Sequence, residues 1–374
     1  MAKLGDIATY INGYAFKPQD WSDEGIPIIR IQDLTGNSYQ ANRYNGEYAS
    51  KYEVNDGDVL ISWSASLGVY IWHGEKAVLN QHIFKVVFDK ERISKDFFVH
   101  QVGLILENAA SDAHGATMKH LTKPVFDALP FYLPPYEKQC EIAGILDKVT
   151  SLISLRKQQL AKLDELVKAR FVEMFGDPVT NPKGYEKYKL ENLARKISDG
   201  VHSKPDYTET GRPFLSVVNI NKGVINFKNC KYVSEDAYQK MIKSTHPERG
   251  DVLYTKVGAT YGIPAYVDTD IAFCLYVSVC LIKPKREVIN PRFLSLSMEM
   301  PYVKHQADRR IKGIGVPDLH LNQISEFEIL CPPLKEQDIF IYFVERLDGE
   351  KRVVQQSLEK LELMKKALMQ EYFG

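Results

Sequence analysis

The chain has 374 residues, 44% hydrophobic and 26% charged, with 48 Lys+Arg against 48 Asp+Glu. That length suggests two or three domains, and a net charge of zero excludes a uniformly basic nucleic-acid binder. With no N-terminal signal pattern and no 18-residue apolar run, a cytoplasmic protein that does not enter a membrane is expected.

Residues 1–135 read as a first domain made mostly of strands. Ile28-Ile29-Arg30-Ile31, Asp58-Val59-Leu60-Ile61 and Ile83-Phe84-Lys85-Val86-Val87-Phe88 are short, β-branched or aromatic, and separated by Gly, Asn and Asp. One helix is predicted over 95–108. Residues 136–177 then read as a single long helix. Paired prolines open it, where a missing N–H costs nothing, and Gly176-Asp177-Pro178 stops it. About 39 helical residues make a rod on the order of 58 Å long. Its apolar seam repeats every seven residues through Leu146, Ile153, Leu160, Val167 and Met174; the companion line, Val149, Arg156, Leu163 and Arg170, is interrupted by charge.

Residues 178–333 form a second strand-rich domain, with Phe214-Leu215-Ser216-Val217-Val218 and Val277-Ser278-Val279-Cys280-Leu281-Ile282 as strands and a helix over 291–306. Residues 334–374 are a second rod. Here Leu347, Val354, Leu361 and Leu368 are unbroken, and Val344, Lys351, Leu358, Lys365 and Tyr372 carry the interruptions. A sustained heptad means helix-on-helix packing. An antiparallel pair is expected, with Leu160, Leu163 and Val167 facing Leu358 and its neighbours. The other reading lays each helix on its own domain.

The chain is a duplication. Pro134-Pro135-Tyr136-Glu137-Lys138-Gln139 overlays Pro332-Pro333-Leu334-Lys335-Glu336-Gln337 at an offset of 198, which holds without a gap to the end of both rods. The domains are more diverged copies. Gly25-Ile26-Pro27 matches Gly211-Arg212-Pro213, Gly57-Asp58-Val59-Leu60 recurs as Gly250-Asp251-Val252-Leu253, Gly68 aligns with Gly262 and Gly115 with Gly313. The fold class is therefore α+β: two duplicated mixed α/β domains separated by two long antiparallel coiled-coil-like helices.

Little points to catalysis. Leu133-Pro134-Pro135-Tyr136 resembles the Asn/Asp-Pro-Pro-Tyr/Phe of DNA amino-methyltransferases, but Leu133 cannot accept a hydrogen bond and the second copy reads Cys331-Pro332-Pro333-Leu334. There is no G-K-[ST] loop and no Glu-x-Lys; Gly313-Ile314-Gly315 is a lone G-x-G. The five cysteines are odd in number without a C-x-x-C, and read as reduced thiols. Recognition chemistry remains. Residues 1–136 hold 12 Lys/Arg against 16 Asp/Glu and residues 181–330 hold 22 against 17, so any phosphate contact is local or shared with a partner. Loop residues of the kinds that read base edges are Lys17, Arg30, Gln32, Asn37, Ser64 and Ser66 in the first domain. In the second they are His202, Lys204, Asn219, Asn221, Lys222, Lys256, Thr260, Tyr261, Arg309, Arg310 and Lys312. The seam of the rods is assigned to Leu146, Ile153, Leu160, Leu163 and Val167 against Leu347, Val354, Leu358, Leu361 and Leu368.

Over its whole length the chain resembles the specificity subunits of type I restriction–modification systems. The Pro-Pro-x-x-x-Gln run opening each rod and the Gly-Asp-Val-Leu strand in each domain carry the resemblance. It implies two target-recognition domains, each reading one half of a gapped site in double-stranded DNA, and a helix pair that sets the spacing. It further implies two DNA methyltransferase (modification) subunits and restriction (translocase/nuclease) subunits as partners, with no cofactor, metal or catalytic residue in this chain. Two other readings stay open on the residues alone: a fused DNA adenine methyltransferase using the Pro-Pro-Tyr motif, and a coiled-coil adaptor that binds proteins through its two domains.

Overall fold

The computed structural model describes residues 1–36, 42–112, 122–221, 223–311 and 315–374. The chain divides into two compact units, one of residues 1–158 with 355–374 and one of residues 159–354. Each unit thus holds one globular domain and half of each rod.

In the first unit the strands of the two larger sheets are β1 (Thr9–Asn12), β2 (Ile26–Ile29), β3 (Arg43–Tyr44), β4 (Glu53–Val54), β5 (Val59–Ser62), β6 (Gly68–Ile71), β7 (Ala77–Leu79) and β8 (Ile83–Val87). They form two four-stranded sheets, β1-β8-β5-β6 and β3-β2-β7-β4, antiparallel except where β2 runs parallel to β7. Helix α1 (Lys95–Asp112) follows. Strand β2 ends earlier than its apolar run suggests. Asp33 Oδ2 accepts from the Arg30 N–H at 2.8 Å, and the side chain turns Ile31–Leu34 into a helical turn.

The second unit repeats the plan. The strands of its two larger sheets are β9 (Ala194–Asp199), β10 (Arg212–Leu215), β11 (Lys231–Val233), β12 (Val252–Thr255), β13 (Pro264–Tyr266), β14 (Cys274–Leu275) and β15 (Val279–Pro284). These sheets are β9-β15-β12-β13 and β11-β10-β14, again with one parallel pair, β10 and β14. The side-chain cap of Asp33 recurs where Asn219 Oδ1 accepts from the Ser216 N–H at 3.0 Å. The helix expected over 291–306 is two helices, α2 (Pro291–Glu299) and α3 (Pro301–Arg310). Pro301 lacks an N–H and forces Met300 out of the helical region, to ψ 143°.

The Gly-Asp-Val-Leu motif has one local role in both units. Gly57 and Gly250 take φ +80° and +91°, a left-handed turn that suits glycine. The following aspartates accept from the N–H groups of Asn55 and Glu248, both at 2.8 Å. Each carboxylate is then met by a lysine of the neighbouring strand, Lys85 at 2.8 Å and Lys283 at 2.7 Å.

Both rods are continuous 40-residue helices, Tyr136–Phe175 and Leu334–Phe373. The glutamine of the Pro-Pro-x-x-x-Gln run fastens each one. Gln139 Oε1 accepts from the Ser94 N–H at 2.9 Å while its Nε2 donates to the Pro134 carbonyl at 2.8 Å. Gln337 does the same with the Asn290 N–H (2.8 Å) and the Pro332 carbonyl (2.7 Å). Both glutamines are buried. Pro-Pro-Tyr is part of this helix start, and the Tyr136 ring carries the Arg92 guanidinium at 4.1 Å.

The rods pair antiparallel. In the first unit Ile142, Ala143 and Leu146 share a core with Phe97, Phe98 and Phe131, against which Leu368, Met369, Tyr372 and Phe373 pack. In the second, Val167, Phe171 and Phe175 share one with Phe293, Phe340, Val344 and Leu347, and Leu163 packs against it. The rods therefore do both things considered above: their ends lie on the domains, and elsewhere they lie on each other. Leu163 and Val167 gather with Val344 and Leu347, about three to four turns nearer the start of the second rod than Leu358. Leu146, Val167, Leu347, Val354 and Leu358 are buried; Ile153, Leu160, Leu163, Leu361 and Leu368 are half-buried, as a seam between only two helices leaves its flanks open. Charges in and beside the seam are paired: Lys351 with Asp164 at 2.6 Å, Lys157 with Glu362 at 3.1 Å, and Arg170 with Glu173 at 2.8 Å.

Candidate nucleic-acid interface

Strand order brings four connections to one end of the paired sheets in each domain. In the first domain these follow β1 at Gly13, β2 at Arg30 and β5 at Trp63, and lie between β7 and β8 at residues 80–82. Backbone bonds lace them together: Gly13 N–H to Ile83 O (3.0 Å), Tyr14 N–H to Leu79 O (2.8 Å), Asn80 N–H to Ile29 O (3.1 Å) and Trp63 N–H to His82 O (3.2 Å). The second domain repeats every one: Gly200 to Val279 (3.3 Å), Val201 to Leu275 (2.9 Å), Tyr276 to Leu215 (2.8 Å) and Lys256 to Ser278 (3.0 Å). Approach is so close that a Cβ on Gly13 would lie 2.0 Å from the Asn80 oxygen, and one on Gly200 2.1 Å from the Leu275 oxygen. Strand-end hydroxyls brace the loop that follows β5 and β12: Ser62 Oγ donates to the Ser66 carbonyl, and Thr255 Oγ1 to the Thr260 carbonyl at 2.7 Å.

On this shared backbone the side chains differ. Trp63 Nε1–H donates to Asn12 Oδ1 at 3.2 Å, a neutral pair, and the indole lies against His82 and Phe84. The equivalent residues of the second domain are an ion pair, with Lys256 Nζ 3.4 Å from Asp199 Oδ2 and 3.8 Å from Asp318. Lys256 is only 5% exposed. Burial pushes the Asp199 carboxyl up from its ordinary range, against the opposing pull of Lys256. His202 stands at the rim, 3.6 Å from the same carboxylate.

The residues singled out in the sequence are not one class. Lys17, Ser66, His202, Lys204, Asn221, Thr260 and Arg309 are exposed, and Arg30, Gln32, Tyr261 and Arg310 are half-buried. Ser64, Asn219 and Lys256 are buried. Asn219 is occupied by its own turn and by a 3.4 Å bond to the Asn226 carbonyl. Arg310 holds the carbonyls of Gln306 and Glu326, and the Tyr261 hydroxyl donates to Asp308 at 2.6 Å. Asn37, Lys222 and Lys312 lie outside the described residues, as do Gly115 and Gly313. Sequence reasoning missed Asn12 and Asp199; the signal was available, since Asn12-Gly13 aligns with Asp199-Gly200.

A family profile described as "Type I restriction modification DNA specificity domain" matches residues 1–165 and 182–363. The chain belongs to that family. Among specificity subunits, it is 24% identical over 403 residues to the type I restriction enzyme EcoBI specificity subunit of Escherichia coli, covering 99% of this chain and 84% of that protein. To the MjaVIII specificity subunit of Methanocaldococcus jannaschii it is 24% identical over 394 residues, covering 99% and 90%. The fold is that of the type I S subunit from M. genitalium, with a TM-score of 0.58 at 14% identity over 100% of this chain and 95% of that one. Among the described residues no helix of this specificity-domain protein is long and apolar enough to cross a membrane, and no group of three or more His, Cys, Asp or Glu side chains is placed to hold a metal.

Proposed function

We propose that the chain is the DNA-recognition subunit of a type I restriction–modification complex, and that each globular domain reads one half of a gapped site. The observation that carries this reading is the loop cluster: two copies of one backbone frame with different side chains mounted on it. A conserved frame with exchanged contents suits two modules that do the same task on different bases. Exposed and half-buried loop residues are the base- and phosphate-facing set, and Ser64, Asn219 and Lys256 hold the loops behind them. In this division residues 1–135 and 178–333 recognise DNA, and the rods of 136–177 and 334–374 set spacing and dock modification subunits.

The rods offer matched docking points. Leu155 and Leu166 are exposed on the first, and at the repeat offset Val353 and Met364 are exposed on the second. Two equivalent apolar faces fit two equivalent methyltransferase subunits, to which the chemistry of methylation belongs; restriction subunits would join that assembly.

Exchange of residues 181–330 for the equivalent domain of a relative tests the module reading. Methylome sequencing of a host carrying the hybrid should show one half-site replaced and the other retained. If both halves change together, the domains are not independent readers.

A further inference from the structure

Beside the loop cluster each domain carries an exposed aromatic ring with cations stacked on it. In the second domain Tyr207 lies under two ammonium groups, Lys231 Nζ at 4.3 Å and Lys204 Nζ at 5.7 Å from the ring centroid. In the first, the Arg30 guanidinium stands 5.4 Å from the ring of Trp21. The two rings occupy the same place in the repeat. Ser22 forms an antiparallel bridge to Arg43, and Thr208 forms the corresponding bridge to Tyr232. The bonds that make these bridges match as well, Ser22 N–H to Arg43 O at 2.9 Å and Thr208 N–H to Tyr232 O at 3.0 Å. Trp21 and Tyr207 are the residues immediately before. They are 43% and 36% exposed.

Neither the Lys204 nor the Lys231 ammonium makes an ion pair or hydrogen bond with any described residue. Arg212, Arg249 and Lys283 of the same unit are by contrast neutralised, Arg212 by Glu235, Arg249 by Asp268 and Asp270, Lys283 by Glu248 and Asp251. A cation on an aromatic face is held in place without losing its charge, so it can still pair with an anion. The ring itself offers a flat apolar edge of the kind that packs on a sugar. From its Lys-bearing side Tyr207 continues through Phe214 (5.8 Å between ring centroids) to Tyr276 (5.9 Å) in the loop cluster. The platform therefore adjoins the surface assigned to base reading.

We propose that Trp21 with Arg30, and Tyr207 with Lys204 and Lys231, are phosphate-contacting platforms, one per domain, that grip the DNA backbone beside each half-site. This rests on the DNA-recognition reading above. What recurs is the ring and not the position of the cation: Phe214 pairs with Lys231 in the sheet, and the residue whose carbonyl meets the equivalent Ile28 is Asn42. The cation comes from a different position in each domain, yet it arrives at the same ring.

The test uses the chain in complex with its modification subunits and a duplex bearing the methylated motif of the host. Binding of Lys204→Ala/Lys231→Ala is measured across a salt series, on that duplex and on one with both half-sites scrambled. Two lost phosphate contacts should lower the log–log salt slope by about 1.8. Affinity should fall by the same factor on both duplexes, and the methylated motif should not change. Trp21→Ala should weaken both duplexes equally, while Trp21→Phe keeps most of the affinity. Unchanged affinity and slope in the double variant would overturn the platforms, and so would a loss confined to the motif-bearing duplex, which would make them base readers. A wild-type complex that does not prefer the motif would overturn the recognition reading instead, and the platforms with it.

Discussion

Lys256 and Asp199 show how one backbone frame accepts two chemistries. Their counterparts Trp63 and Asn12 need only a hydrogen bond, and carry no charge to desolvate. Replacing the pair by charges puts an ammonium where it is nearly sealed from water, and it is tolerable only while a carboxylate faces it. Lys256→Met removes the ammonium and strands the carboxylate. Asp199, already raised by burial, then rises further. A carboxyl raised in the folded state contributes stability below its unfolded value, and that contribution is lost as pH rises through the folded one. The variant should therefore lose about 3–5 kcal/mol at pH 7.5 and much less at an acid pH at which Asp199 has taken up its proton. Chemical denaturation at the two pH values measures this, and an equal loss at both would mean that packing, with no part played by charge, explains the effect. This residue also marks where sequence reading stops. Polar, aromatic and basic residues alternate in these loops, which is how recognition surfaces look. The same composition serves a side-chain cap at Asn219 and a buried pair at Lys256, and only three-dimensional burial separates them.

At the scale of elements the rods were the most legible part, because a seven-residue period constrains every turn of a helix at once. Both rods begin and end within a residue or two of their Pro-Pro and Gly signals. The pairing partners were less legible: heptads define a face, and the register along it depends on where the domains grip the ends. The strands were found, with ends displaced wherever a side chain bonded its own backbone, as Asp33 and Asn219 do. Trp21 and Tyr207 could not be paired from sequence alone, since their equivalence appears only through bridge partners in distant strands. The role of Gln139 and Gln337 was hidden for a similar reason. Each joins the first turn of a rod to the N-terminal end of α1 or α2, across 45 or 47 residues of chain. Gln337→Leu keeps the volume but leaves the Asn290 N–H and the Pro332 carbonyl buried without partners. A loss of about 2–4 kcal/mol is expected. Melting of the variant against wild type decides it; unchanged stability would remove the clamp.

For the whole molecule, the duplication explains why two loop clusters with different side chains come with one helical connection scheme. In each unit the start of one rod and the end of the other pack into the same core, so the two rods do equivalent work. If the proposed reading is right, the gap between half-sites is a property of these helices and not of the loops. One heptad added to a single rod would throw its pairs out of register, separating Lys157 from Glu362 or Asp164 from Lys351. The insertion must therefore be made in both. Seven residues after Leu160 and seven after Leu358 lengthen an antiparallel spacer by about 10 Å. At about 3.4 Å per base pair that is about three more base pairs between half-sites, with the bases of each half unchanged. Three base pairs also turn the duplex by nearly a third of a helical turn, which DNA or protein must absorb, so weaker binding is compatible with the spacer. Methylome sequencing of a host carrying the lengthened chain reads the gap directly. A gap of unchanged length, methylated at the wild-type level, would show that the rods hold partners without measuring DNA.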